Sequence, residues 1–140
     1  MSQEFEPLLK QIIKMKNLLY NMFTAIRNGQ LIRRRFIVIK NKKVCEPFLQ
    51  VMWDEGFILC YKKIKNDKIK IYLKYKNNKP VIRYLKTLSK PGRPVYYSLK
   101  QIWKLDSSKI FIIFSTNKGV KSINECKKLK IGGEPFIVMY

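Results

Sequence analysis

The chain has 140 residues, of which thirty are Lys or Arg, nine are Asp or Glu and none is His, giving a formal net charge of +21. So large an excess repels itself on a compact body and is relieved by a polyanion, most often nucleic acid. With 46% hydrophobic and 13% aromatic residues, the chain is too rich in core-forming side chains for a disordered basic tail. Its longest apolar run, 110–114, falls far short of the roughly 20 residues a membrane helix needs.

Cys45, Cys60 and Cys126 stand apart, without a CxxC pair, and no His accompanies them. They make no zinc set and read as idle or buried thiols in a reducing compartment. No metal or other cofactor is expected. The first residues carry Glu4 and Glu6 and no Arg, unlike a secretory signal or a transit peptide. The expectation is a protein made where it works. Lys, Ile, Asn, Tyr and Phe abound while Ala is almost missing, which points to an AT-rich genome.

The spacing of Leu8, Ile12, Met15, Leu19, Met22 and Ile26 predicts an amphipathic helix over 7–28, with Pro7 at its first turn and Gly29 as its C-terminal cap. A polar stripe of Lys10, Lys14, Asn17, Asn21, Thr24 and Asn28 follows the same period. It is either a solvated face or an RNA-facing edge around Thr24, Arg27 and Asn28. Three arginines, 33–35, precede a strand over 36–40. A second helix ends at Glu55 before Gly56, with Val44, Phe48, Val51 and Met52 inward. Pro47 demands that it start late, near Glu46, or kink. Asp54 and Glu55 are adjacent on that helix and do not converge.

Strands are predicted over 57–64 and 68–75, joined by a turn at Asn66 and Asp67. In the second, Ile69, Ile71, Leu73 and Tyr75 alternate with Lys68, Lys70, Tyr72 and Lys74, the pattern of a half-buried strand. Residues 77–80 form a break, and 81–88 another strand. A rigid basic loop with Lys90, Pro91, Gly92, Arg93 and Pro94 comes next, followed by Tyr96. A helical turn over 99–104 buries Ile102 and Trp103, and 110–114 is a buried strand. Ser115 to Val120 reads as a polar loop. Ser122 and Glu125 make a capping box for a short helix to Lys130, which Gly132 and Gly133 stop. A last strand, 134–140, has Phe136, Val138 and Tyr140 on one side. The fold class is mixed α/β (α+β) in two small lobes. The first, 1–78, is helix-strand-helix-strand-strand with an N-terminal helical extension; the second, 79–140, is mostly β with a short helix.

Two segments carry groups suited to nucleic acid. Ser115, Thr116 and Asn117 offer short donors, Lys118 a phosphate contact, and Gly119 a close backbone approach. Short donors suit the shallow minor groove of an RNA helix better than the DNA major groove, although the same composition makes an ordinary turn. Lys90, Arg93 and Tyr96 supply two cations and a phenol.

At these residues the chain resembles the small-subunit ribosomal protein eight family (S-eight). The segments 24–30 (TAIRNGQ), 54–58 (DEGFI), 89–93 (SKPGR), 115–120 (STNKGV) and 131–134 (IGGE) carry the resemblance in family order, from about Asn17 onward. It implies a two-lobed structural component of the ribosomal small subunit that binds the central domain of small-subunit ribosomal RNA. The second lobe would dock on an irregular RNA stem through Ser115, Thr116, Asn117, Lys118 and Gly119, with Tyr96, Gly133 and Glu134 in support. Thr24, Arg27 and Asn28 would touch further RNA. Partners implied are that RNA and neighbouring small-subunit proteins, with no membrane, no small-molecule substrate and no catalysis.

Glu134 invites a catalytic or metal role, but a carboxylate accepting hydrogen bonds that order the loop is the expected one. Departures from the family pattern are Asn117 in place of a serine, Pro135 in place of an apolar strand residue, Ile102 and Trp103 in place of a polar segment, and some sixteen extra residues at the start. Composition and divergence favour a mitochondrial ribosome, with plastid stroma or bacterial cytoplasm as alternatives. Another basic RNA- or DNA-binding module, or a basic membrane-surface protein, is the rival function.

Overall fold

A computed structural model describes residues 5–88 and 95–140, with side chains from Lys14 onward. The order is α1 (Phe5–Leu31), β1 (Phe36–Lys40), α2 (Cys45–Asp54), β2 (Ile58–Ile64), β3 (Lys68–Leu73), β4 (Tyr75–Lys76), β5 (Lys79–Pro80), β6 (Leu85–Thr87), α3 (Leu99–Trp103), β7 (Phe111–Thr116), β8 (Gly119–Ser122), α4 (Ile123–Leu129) and β9 (Glu134–Met139). The mixed α/β class follows the sequence pattern.

The long helix α1 buries Lys16, Leu19, Met22, Phe23, Ile26 and Gln30. Met15, expected inward, is 47% exposed; the buried stripe is turned by one residue. The polar stripe from Lys14 through Asn17, Asn21, Thr24 and Asn28 faces solvent. Gly29 is no cap. It lies inside the helix, where a Cβ would come 2.7 Å from Ile37 Cγ2 and 3.0 Å from Leu73 Cδ1, so its missing side chain lets α1 close on the sheet. The stop lies four residues on. Arg33 adopts φ 57°, its N–H donates to the Gln30 carbonyl, and the Arg34 N–H donates to the Gly29 carbonyl. That pair of bonds is a Schellman ending with arginine at the left-handed position.

Helix α2 resolves the Pro47 conflict by starting at Cys45, which puts the proline in the first turn, where no N–H partner is lost. Phe48, Leu49, Val51 and Met52 are buried beneath it, and Gly56 leaves it at φ 80°. Asn66 and Asp67 turn the chain with φ of 66° and 52°. The predicted break at 77–80 is a small hairpin, β4 against β5, with Asn77 and Asn78 both left-handed, the backbone of a tight two-residue turn. The strand expected over 81–88 shrinks to three residues.

Two sheets organise the rest. One has the order β1-β3-β2, the other β6-β9-β7-β8, each antiparallel throughout. Both pack one face into a shared core with α1 and α2, where Phe48 meets Phe23 and Phe136 edge to face. That core has members on both sides of residue 78, from Leu19 to Met139. The four-stranded sheet is also covered on its other face, where Ile112 and Phe114 pack against Ile102 of α3 and Ile123 and Cys126 of α4. This explains the sequence pattern. β3 alternates because one face of its sheet is covered, whereas β7 is apolar without interruption from Phe111 to Phe114 because both faces are. Each large apolar side chain so buried contributes about 1.5–3 kcal/mol.

Three further expectations are corrected. Trp103 is 57% exposed rather than buried, with the Lys127 ammonium 5.4 Å from its ring; α3 is one turn long and has room inward only for Ile102. The capping box of Ser122 and Glu125 is present on α4, but the helix stops at Lys130 in the left-handed conformation, ahead of Gly132. Phe136 does not share a face with Val138. A register shift opposite Ile113 and Phe114 puts Phe136 and Ile137 in the same core. Phe114 there pairs with Pro135, which has no N–H to give to the ladder.

Candidate nucleic-acid interface

The segment read as a polar loop is a β-hairpin. Ser115 and Thr116 end β7, Asn117 and Lys118 turn, and Gly119 begins β8. Ser115 pairs with Val120 and Thr116 with Gly119. The Thr116 hydroxyl is committed to its own turn. It donates to the Gly119 carbonyl at 2.7 Å and accepts the Lys118 N–H at 3.1 Å. Gly119 has φ 104° and open space where a Cβ would stand, so backbone conformation, not crowding, calls for glycine there. Asn117, Lys118 and Gly119 form the exposed tip.

The start of β9 supports the hairpin. Ser115 pairs with Glu134. Gly133 lies so close beneath β7 that a Cβ would sit 2.8 Å from the Ser115 carbonyl oxygen and 2.8 Å from Thr116 Cγ2. Gly133 and Tyr97 exchange two backbone hydrogen bonds, of 2.9 and 3.0 Å. Next to them Tyr96 is 67% exposed, with its hydroxyl 2.9 Å from where a Gly132 Cβ would be. Ser115, Thr116, Asn117, Lys118, Gly119, Tyr96, Gly133 and Glu134 therefore meet at one end of the four-stranded sheet. Lys90 and Arg93 lie outside the described residues.

Sequence reasoning missed Lys16. Its ammonium lies 2.7 Å from Glu134 Oε1, both side chains largely buried, and 5.8 Å from the Phe136 ring centroid. The signal was available: Lys16 falls four residues after Ile12 and three before Leu19, on the apolar stripe, where a charge requires a partner. The pair lines a cleft of about 350 Å³ between α1, α2 and the hairpin, together with Leu19, Phe48, Ser115 and Phe136 among others.

Thr24, Arg27 and Asn28 are exposed on α1, roughly 12–18 Å along the helix from Lys16 at 1.5 Å per residue. Arg27 lines a larger cleft of about 580 Å³ with Lys79, Arg83 and Tyr84. Buried Gln30 reaches the same cleft, its amide donating to the Lys74 carbonyl at 3.3 Å while its Oε1 has no partner. Burial holds the Cys45 and Cys126 thiols protonated, each pushed up to about 11, and the described residues hold no cluster of metal-ligating groups.

A covered four-stranded sheet, a cationic hairpin at its end and an exposed helix edge define a small basic α/β protein. Comparison with known proteins specifies the class. The model of the family described as Ribosomal protein S8 matches residues 17–140. The small ribosomal subunit protein uS8m of Acanthamoeba castellanii is 37% identical over 124 residues, covering 86% of this chain and 97% of that protein. The uS8 proteins of Dichelobacter nodosus and Ehrlichia canis are 34% and 38% identical, each covering 81% of this chain and 90% and 89% of their own. The chain belongs to the ribosomal protein S8 family, and is a structural ribosomal protein, not an enzyme.

Proposed function

We propose that this protein binds the central domain of small-subunit ribosomal RNA, with the β7–β8 hairpin as the specific contact. The observation that carries the reading is the convergence of Tyr96, the hairpin tip and Gly133–Glu134 at one sheet end. Asn117 and Lys118 present donors at the exposed tip and Ser115 stands half-exposed at its base, while Thr116 and Gly119 fix the turn that aims them. Short groups on a narrow tip reach the shallow minor groove of an RNA stem. Lys16 neutralises Glu134, which removes a charge that would repel phosphate.

Lysines and arginines supply the rest of the affinity. Nine acids cannot neutralise thirty cations, and the surplus is free to displace counterions from phosphate. Thr24, Arg27 and Asn28, with Lys79 and Arg83 across the cleft that Arg27 lines, make a second contact on the same RNA. Neighbouring small-subunit proteins are further partners. The mitochondrial ribosome is the proposed location, supported by the Acanthamoeba castellanii uS8m relative and by the AT-biased composition.

The test is competition binding by the purified full-length chain. A transcript of the rRNA central domain should be retained against excess duplex DNA and random RNA. If six to ten phosphates are contacted, affinity should fall by roughly 10³–10⁵-fold between 50 and 200 mM salt. Equal affinity for all three nucleic acids would refute the reading. Co-sedimentation with mitochondrial ribosomal small subunits on a sucrose gradient tests the location.

A further inference from the structure

The three-stranded sheet covers only one of its faces. Ile37 with Ile71 and Ile39 with Ile69 point into the core. Register sets three rows across the opposite face: Phe36, Tyr72 and Cys60; Val38, Lys70 and Lys62; Lys40, Lys68 and Ile64. No acid stands in these rows. Phe36 is 41% exposed and Val38 45%. The Phe36 and Tyr72 rings lie 6.0 Å apart. The Lys70 ammonium sits 3.9 Å from the Phe36 ring centroid and 5.2 Å from that of Tyr72, with Lys62 5.8 Å from Tyr72. Arg33, Arg34 and Arg35, all exposed, lead directly into Phe36.

We infer that this face is a further RNA-binding surface, separate from the hairpin and from the α1 edge, which takes unpaired nucleotides by stacking their bases on Phe36 and Tyr72 while Lys40, Lys62, Lys68 and Lys70 hold the phosphates. An antiparallel sheet with accessible rings and flanking cations is the arrangement on which splayed bases stack. The cations already lie over the rings. An arriving base replaces the ammonium on the ring face, and the flexible lysine stem swings to the phosphate beside it. An acidic protein segment would match the charge but would leave the two rings without a planar partner. A duplex keeps its bases paired and offers neither ring a face. The inference goes beyond the proposed hairpin contact and uses none of its residues.

The experiment uses the full-length protein and a fluorescein-labelled oligouridine of about ten nucleotides, within the length one such surface covers. Replacing Phe36 and Tyr72 together by Leu keeps an apolar sheet and removes the rings. This double change should weaken oligouridine binding by about five- to a hundredfold while central-domain RNA stem binding through the hairpin stays near normal. Phe36→Ala with Tyr72→Ala should do the same, with thermal melting confirming the fold. Photocrosslinking with 5-iodouridine should map to Phe36 or Tyr72. Unchanged oligouridine affinity in the Leu variant, or crosslinks confined to other segments, would overturn the inference. So would a polyglutamate peptide that competes with oligouridine at equal charge concentration and loses nothing when the rings are removed, which would mark an acidic-protein surface. Failure of the proposed function would instead appear as loss of preference for the rRNA stem, with the oligouridine result unaffected.

Discussion

Lys16 and Glu134 form a 2.7 Å ion pair across the junction of α1 and β9, with side chains 10% and 19% exposed. The two residues are far apart in sequence, and their contact ties the long helix to the base of the hairpin. Removing one partner leaves the other charge partly buried. Lys16→Met should therefore cost about 2–3 kcal/mol, less than breaking a fully buried pair because both groups keep some water. Chemical denaturation measures this. Lys16→Met combined with Glu134→Gln should cost less than the two single changes added together; strict additivity would mean the pair is not coupled.

Thr116 and Lys118 should fail differently. Thr116→Ala removes the hydroxyl that bonds Gly119 and Lys118, so the Lys118 amide should exchange faster and the preference for the rRNA stem over random RNA should narrow about tenfold. Thr116→Ser retains both bonds and should keep most of that preference. Lys118→Ala removes only the proposed phosphate contact. It should weaken all RNA binding alike and lower the logarithmic salt slope by about 0.9. Identical behaviour of Thr116→Ala and Lys118→Ala would contradict this division.

Alanine at Gly133 and at Gly29 should be resisted, because each glycine lets another element approach closely. At Gly133 the new methyl would meet the Ser115 carbonyl oxygen and Thr116 Cγ2, both at 2.8 Å. Backbone cannot step aside without moving β7, so Gly133→Ala should cost about 1–3 kcal/mol and displace the hairpin. At Gly29 alanine gains roughly 1 kcal/mol of helix propensity. It meets Ile37 Cγ2 at 2.7 Å, on a β-branched side chain with few rotamers. The net change should be a loss of about 1 kcal/mol, read from the thermal midpoint; a gain would show that α1 is free to lift.

The buried thiols predict an alkaline limit. Burial pushes the Cys45 and Cys126 thiols up from the ordinary thiol range to about 11. A folded-state value above the unfolded one gives stability that is complete below pH 9 and is lost as pH climbs toward 11. Replacing both by Ala or Ser should flatten that loss in a denaturation series across this window. In the native state at neutral pH, half-exposed Cys60 should react with a thiol reagent ahead of the other two.

Much of the fold was legible because its faces differ. The alternation from Lys68 to Leu73 announced a sheet with one open face, and the run from Phe111 to Phe114 a strand covered on both. Capping chemistry announced α4. The errors have a common cause: a local signal was overruled by a contact from elsewhere in the chain. Gly29 looked like a helix stop but serves the approach of Ile37, and the stop fell to Arg33, which nothing local marks. Thr116 looked like a loop donor because its bond to Gly119 exists only once β8 pairs back, and β8 is too short to show a period. At the site, hairpin and glycine positions were readable as residue types. Lys16 was not connected to Glu134, because pairing across more than a hundred positions is set by the packing of α1 and leaves only an ill-placed charge in the sequence.

Every outermost strand of the two sheets carries lysine: Lys40 on β1, Lys62 and Lys63 on β2, Lys86 on β6 and Lys121 on β8. Unpaired strand rims invite copies of a chain to zip together, and ammonium groups along them prevent it. Dispersal of the newly made protein and capture by its anionic partner thus draw on one set of side chains. A short polyanion added below stoichiometry should neutralise the rims without covering them, and turn a clear solution cloudy.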